Sequence, residues 1–404
     1  MSKQHHLDDY ANAVVPAIPV TTTYYFSSTQ DVIDYHMGVG SAARYARYDN
    51  RVWQHVEQQM AHLDGCDDAA VFPCGMSAIS NTLMNLAQSG DHIVYMGKGY
   101  RNVSTLCSEV LPRFGISTSP VVCGMDDDVV EEIVAAVRPN TRVVFLEMPT
   151  NPQLFLTDIS CLKKRLPEEC RLVVDSTIAT PINFKPNVYG ADLVIHSLGK
   201  FITGHSNAMG GSVAGPIDLI QNIKKMRNVI GSICDSENMH RVLTGLQTLE
   251  LRMNAVNKSA QLVAEWLESD PRVKRVYYTG LKSHPHADLA ATMFSGHGGL
   301  ITFELDGSIE QTATFVENVD VAYMSTGFGG VQTQIEQPRL FTYFRQSQAV
   351  CGAAGITGSM VRLSLGVDPT ERIIESLSAA LNTAFSTRKD GAYILERLSA
   401  VMPN

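Results

Sequence analysis

The stretch DLVIHSLGKF, residues 192–201, decides how the rest of the chain is read. An apolar run of strand length, Leu193, Val194 and Ile195, delivers His196, Ser197 and Lys200 into a glycine-punctuated turn, GKFITGHSNAMGG (199–211). Upstream, a second β-rich run, RLVVDS (171–176), carries Asp175 near its end in the same way. A lone lysine after a strand is ordinarily a solvated loop residue. A lysine and an aspartate that both leave buried strands suit pyridoxal phosphate instead: the amine forms a Schiff base, and the carboxylate keeps the pyridine nitrogen protonated.

Working outward, short β-rich runs alternate with helical ones. AAVFPC (69–74), HIVYM (92–96), SPVVC (119–123) and RVVFLE (142–147) read as strands, and AMGGSVAG (208–215) follows the lysine turn as another. GMSAISNTLMNLAQSG (75–90), a segment near 103–114, DDDVVEEIVAAVR (126–138) and LKKRLPEE (162–169) read as helices. This alternation predicts an α/β fold with a mostly parallel central sheet covered on both faces, and a ligand crevice at the strand carboxyl ends. Glu147, Asp175 and Lys200 all follow strands and so share one predicted cleft. The strand, glycine and helix start at 69–80 offers free amides and a positive helix end, an arrangement that binds phosphate.

The flanks differ. Residues 1 to about 50 show no sustained helical period, and PAIPVTTTYYF (16–26) followed by ARYARYDNR (43–51) reads as an arm that packs on another subunit. Val52, Val56, Met60 and Leu63 then recur at helical spacing, ending near Gly65. Past Ile217, a long helical stretch from about Ser236 to Leu267 leads into a smaller α+β region with strands LITFELD (300–306) and MVRLSLG (360–366) and a terminal helix, ERIIESLSAALNTAF (371–385). The expected division is an oligomerisation arm over 1–55, a cofactor-binding α/β domain over 56–250 and a C-terminal α+β domain over 251–404.

With 404 residues, a hydrophobic fraction of 45% and a charged fraction of 18%, the chain has material for two cores. A formal charge of −9 and a pI near 5.7 argue against a nucleic-acid partner. No apolar run approaches the ~18 residues of a membrane span, and MSKQHHLDDY (1–10) lacks a signal-peptide pattern, so a cytoplasmic location is expected. Eight cysteines without CxxC spacing disfavour zinc and a disulfide framework, and no metal site is expected. His284 and His286 read as part of a structural loop, and His205 as a turn residue.

Several motifs, in order along nearly the whole chain, carry a resemblance. They are YARYDN (45–50), CGMSAI (74–79), Tyr100, EMPTNP (147–152), VVDST (173–177), HSLGK (196–200), TGLQTLELRM (244–253), SHPHADLA (283–290) and VRLSLGVDPTE (361–371). With these the chain resembles the cysteine and methionine metabolism family of fold type I pyridoxal phosphate enzymes, which includes cystathionine γ-synthases and lyases, methionine γ-lyases and O-acylhomoserine sulfhydrylases. The resemblance implies that Lys200 is the Schiff-base lysine and main proton shuttle, that Asp175 partners the pyridine nitrogen, and that Tyr100 stacks on the ring and assists proton transfer near the leaving group. It further implies a phosphate cradle from the amides of Gly75 and Met76 and the Ser197 hydroxyl, with Tyr45 and Arg47 reaching it from a neighbouring subunit. Arg362 would grip the substrate α-carboxylate, and Asn151 would lie near that carboxylate and the ring oxygen. Tyr45, Thr326 and Gly327 would help to shape the substrate pocket. The implied assembly is a homotetramer built from active dimers, acting on a small amino acid.

Departures from the family pattern bear on the substrate. Cys74 stands where serine is usual, Ser176 where asparagine is frequent, and Gly199 where threonine normally adds a hydroxyl contact to the phosphate. In STGFGGVQTQIEQP (325–338), Gly327 replaces the usual serine, and Gln332, Thr333 and Gln334 also differ. Asn102 occupies a position where methionine γ-lyases place cysteine. The expected function is γ-elimination or γ-replacement on an amino acid with a leaving group at Cγ: an O-acylhomoserine, a cystathionine- or methionine-like thioether, or an oxygen-linked analogue such as canavanine. The alternatives are a β-lyase releasing pyruvate and, from another class, a catalytically silent relative acting as a binding protein.

Overall fold

Seven strands, β1 (Asp68–Phe72), β2 (His92–Met96), β3 (Ser117–Val121), β4 (Thr141–Glu147), β5 (Arg171–Asp175), β6 (Leu193–Ser197) and β7 (Gly211–Gly215), form one sheet in the order β1-β7-β6-β5-β4-β2-β3. The computed structural model describes residues 14–39, 43–124, 128–386 and 394. Strands β2 to β6 pair in parallel, and only β7 runs against its two neighbours in this sheet. The mostly parallel α/β architecture expected from the alternation is therefore present. The middles of β4, β5 and β6 are apolar because both faces are covered there, whereas the edge strand β3, STSPV, is polar and partly exposed.

Before the sheet come α1 (Thr29–His36) and α2 (Arg51–Asp64). The first departs from the expectation of an arm without helix. It has no buried residue and is held by a capping box between Ser28 and Asp31, so no apolar period announced it. α2 starts at Asn50, whose side chain accepts from the amides of Val52 and Trp53, and stops at Gly65 in the left-handed conformation, φ +69°. On one sheet face, α3 (Gly75–Leu86) buries Ala78, Ile79 and Leu83 against Val173 and Ile195. The helix expected near 103–114 is α4 (Arg101–Thr105) continued by one wide and one tight turn to Phe114. On the opposite face lie α5 (Val129–Ala136) and α6 (Ile159–Arg165), packed on Val144, Leu172 and Val174, with the short α7 (Thr180–Asn183) after β5.

The chain then leaves the sheet through α8 (Ile217–Ile230), α9 (Ser236–Leu246) and α10 (Leu249–Ser269). The single long helical stretch expected over Ser236 to Leu267 is thus two helices. The break falls at Gln247 and Thr248, between the buried Leu246 and Leu249, whose spacing reads as one continuous apolar stripe. A second sheet follows, made of β8 (Val273–Tyr277), β9 (Leu300–Leu305), β10 (Tyr323–Met324), β11 (Gln334–Glu336) and β12 (Met360–Ser364) in the order β10-β11-β12-β9-β8. α11 (Ala287–Met293), α12 (Ile309–Asn318), α13 (Gln348–Ala353) and α14 (Thr370–Ser386) complete the chain, and α10, α12 and α14 share an apolar core with β9 and β12. Among the described residues, no helix is long and apolar enough to cross a membrane.

Candidate active site

The carboxyl ends of β2, β4, β5 and β6 meet the second sheet around a cleft of about 540 Å³. Strand register sets its floor: Glu147 pairs with Asp175, so the residues that close β4 and β5 sit side by side, and Asp175 pairs in turn with Ile195, two residues before the end of β6. Gly75, Met76, Tyr100, Asn151, Asp175, Ser197, Lys200, Thr326, Gly327 and Arg362 all line this one cleft.

Asp175 is held from one side. Its Oδ1 accepts from the Thr177 amide at 2.9 Å and from the Thr177 hydroxyl at 2.5 Å, while its other oxygen has no hydrogen-bond partner among the described residues. Burial raises its carboxyl above the ordinary aspartate range, opposed by the two Thr177 hydrogen bonds and by the charge of His196. His196 points away into the core, where its Nε2 pairs with Asp64 at 2.8 Å. Burial acts to lower the imidazole pKa, but Asp64 carries it above its usual value.

Lys200 extends its amine to 4.7 Å from the Phe328 ring centre. Burial lowers its pKa, the guanidinium of Arg362 lowers it further, and Glu336 opposes both. A lysine shifted in this direction presents more of the unprotonated nucleophile. The turn that carries it is fixed by Arg252, which donates to the carbonyls of Phe201, Ile202 and Gly245 at 2.5, 2.8 and 2.7 Å. Gly199 has a steric role here, since a Cβ would come within 2.7 Å of the Ala208 carbonyl oxygen. A threonine at this position would collide with main chain.

At the other wall, Arg362 is 5% exposed and 3.0 Å from Glu336, which is 1% exposed. The guanidinium also donates to Asn151 Oδ1 at 3.1 Å and to the carbonyls of Thr326 and Gly327 at 2.8 and 3.2 Å. Tyr100, 42% exposed, receives a hydrogen bond on its phenol oxygen from Asn102 at 3.1 Å, which leaves its own proton free for the cleft. Tyr45 and Arg47 do not line the cleft of their own chain. Arg47 packs over the rings of Tyr45 and Tyr48 and donates to the Tyr48 hydroxyl at 3.0 Å.

Against this geometry, the family model for Cys/Met metabolism PLP-dependent enzymes matches residues 1–382. The chain belongs to this family. A cystathionine gamma-synthase 1, chloroplastic, from Nicotiana tabacum is 33% identical over 373 residues, 92% of this chain and 68% of the relative. An L-methionine gamma-lyase from Fusobacterium nucleatum subsp. polymorphum is 34% identical over 341 residues, 83% of this chain and 85% of the relative. The crystal structure of metB from Corynebacterium glutamicum superposes with a TM-score of 0.85 at 31% identity, over 93% of this chain and 94% of that one. The fold is thus that of a fold type I enzyme, the cofactor of the family is pyridoxal 5'-phosphate, and its members act on small amino acids by elimination or replacement.

The residues present fit that cofactor. The first amides of α3 are left free, because Cys74 makes no side-chain capping bond, and Gly75 sits so close to Ser197 that a Cβ would fall 3.0 Å from the serine Cβ. Asp175 keeps one oxygen open to the cleft, and Lys200 reaches the same space.

Arg252, Glu336 and Tyr343 are among the site residues not picked out in the sequence. Arg252 stood inside a quoted motif, and its place on the buried stripe of α10, with Leu249, Met253 and Val256, was the available signal. Glu336 is an acid at the end of a short buried strand, β11, opposite an arginine of the neighbouring strand. Tyr343 lines the cleft with its phenol pushed up to about 12, by burial first and then by Glu147; nothing in its local sequence marks it.

Proposed function

We propose that this chain carries out elimination or replacement at Cγ of an amino acid. The observation that carries the reading is the placement of Arg362, paired with Asn151, in the same cleft as the amine of Lys200. A guanidinium fork binds the α-carboxylate at two points and so fixes which bonds of Cα face the lysine.

Lys200, Asp175 and the start of α3 would hold the cofactor, whose ring supplies the electron sink for charge that develops at the α carbon. Lys200 would take the Cα proton, hand it on to the conjugated system that the cofactor supplies and, neutral again, take a Cβ proton, a task suited to an amine whose pKa burial has lowered. Tyr100, with its phenol oxygen engaged by Asn102, gives its proton to the departing γ-substituent. Arg362 would grip the substrate carboxylate, oriented by the Asn151 side chain and by the carbonyls of Thr326 and Gly327, which shape the wall beside it.

Support for γ over β chemistry comes from the relatives named for γ-synthase and γ-lyase activity. The test is a panel of γ- and β-substituted amino acids with products identified by mass. A four-carbon 2-oxo acid, homoserine or a γ-replacement product supports the proposal; pyruvate from a β-substituted substrate overturns it. A protein without bound cofactor and without turnover would instead mark a binding protein.

The proposal extends to assembly and place. Tyr45 and Arg47 lie off their own cleft, and the arm that carries them exposes Val14, Val15, Val20 and Tyr25, which is consistent with an arm lying on a second copy in a tetramer of active dimers. The arm over 1–55, the cofactor domain over 56–250 and the remainder as a C-terminal domain form the working division. The eight cysteines form no disulfide among the described residues, which suits the reducing cytoplasm.

A further inference from the structure

Glu147 is the one acidic group of the cleft floor to which the reaction above gives no task. It closes β4 and lies in register beside Asp175. Its Oε2 accepts a short hydrogen bond from the Tyr100 amide, and its Oε1 accepts from the Asn151 amide at 2.9 Å. Both oxygens are therefore engaged by main chain, on two separate segments of the cleft lining. Tyr100 stands at the start of α4, after β2, whereas Asn151 belongs to the turn after β4. The glycine before Tyr100 makes the reach possible: a Cβ at Gly99 would fall 2.7 Å from Glu147 Oε2.

The second half of the chain of contacts runs onward from Asn151. Its side-chain oxygen accepts from Arg362 at 3.1 Å. One carboxylate thus connects the segment that presents the phenol to the segment that orients the guanidinium. We propose that Glu147 is a positioning residue that clamps the main chain at Tyr100 and at Asn151, and so sets the phenol and the α-carboxylate anchor in register with each other. The inference rests on the reading of Arg362 as that anchor.

The electrostatics agree with the geometry. Burial, and then the neighbouring charge of Asp175, raise Glu147 to about 8, while the two amide hydrogen bonds and Arg362 pull the other way. A carboxyl in so unfavourable a place is kept there by what it holds. An ordinary loop brace would lie outside the cleft and would act on one segment. Glu147 lines the cleft and acts on two.

The test uses the cofactor-loaded enzyme and two unreactive probes, L-alanine and ethylamine, with binding followed by the shift of the cofactor absorption band. Ethylamine lacks the carboxylate, so the ratio of the two affinities isolates the anchor. Glu147→Met removes both acceptors and should cut the alanine advantage roughly tenfold or more while leaving ethylamine binding unchanged. It should also move the resting absorption band as the phenol shifts over the ring. Glu147→Gln, which keeps one acceptor, should lie between Met and the parent.

Equal weakening of both probes, or no change in either, overturns the proposal. If Glu147→Met does not fold, Gly99→Ala displaces the carboxyl from the Tyr100 amide without removing the side chain. It must then move the absorption band, and an unmoved band overturns the clamp. Arg362→Lys separates the two ideas. An alanine advantage that survives in that variant refutes the anchor itself rather than the clamp.

Discussion

Arg362, proposed above as the carboxylate anchor, also holds a buried ion pair, and replacing it by glutamine with and without its partner separates the two roles. The guanidinium donates to Asn151, Thr326 and Gly327 and is 3.0 Å from Glu336, which is 1% exposed. Removing the positive charge leaves a buried carboxylate without its counter-ion, a loss of about 3–5 kcal/mol. Glu336, already raised by burial and kept down by Arg362 and Lys200, would then take up a proton, which caps the loss toward the lower figure. Losing the fork that grips the substrate carboxylate costs about 2–5 kcal/mol in the transition state, or roughly 30- to 5,000-fold in kcat/KM. The assay pairs denaturant unfolding with 2-oxo acid release from a γ-substituted amino acid. In the double variant Arg362→Gln/Glu336→Gln no charge is stranded, so stability should return to within about 1 kcal/mol of the parent while kcat/KM stays low. Recovery of both in the double variant, or an Arg362→Gln enzyme with normal kcat/KM, would refute the assigned role.

Three further outcomes follow from the same geometry. Gly199→Thr should weaken cofactor binding and destabilise the protein by about 1–3 kcal/mol, because the Cβ meets the Ala208 carbonyl oxygen at 2.7 Å; equilibrium dialysis and melting check this, and a tighter-binding variant contradicts it. Arg252→Met strips the donors from three carbonyls around the lysine turn and should cost about 2–4 kcal/mol, read by denaturant unfolding. In protein freed of cofactor, Glu147 and Asp175 are both raised by burial, Glu147 to about 8 from 4.5, so the folded state keeps protons that the unfolded chain releases. Stability should therefore fall as pH rises from about 4.5 to about 8, and Glu147→Gln should flatten the slope of the melting temperature against pH. A slope of the opposite sign, or one that Glu147→Gln leaves as steep, counts against these shifts.

The elements that sequence exposes best here are those whose pattern is set by burial. β4, β5 and β6 are short apolar runs covered on both faces, and a polar residue at their ends marks the crevice without further information. α1 and the break between α9 and α10 were not exposed in this way. α1 has no buried face, and the break falls where the buried spacing of Leu243, Leu246, Leu249 and Met253 runs on as if through one helix. The same distinction holds within the site. Lys200, Asp175 and Asn151 stand at strand ends or in motifs, whereas Tyr343 enters the cleft from a loop whose local sequence has no period. Gly199 shows the limit most clearly: by sequence it is a missing hydroxyl, and in the structure it is the only size of residue that its neighbour admits.

The central claim is that Lys200 is the amine that holds the cofactor. Borohydride reduction of the purified protein, followed by peptide mass spectrometry, tests it directly. The account predicts a coloured protein that bleaches on reduction, with the cofactor fixed on the peptide containing Lys200 and no adduct in Lys200→Ala. An adduct on a different lysine, or a colourless protein with no adduct, would contradict it.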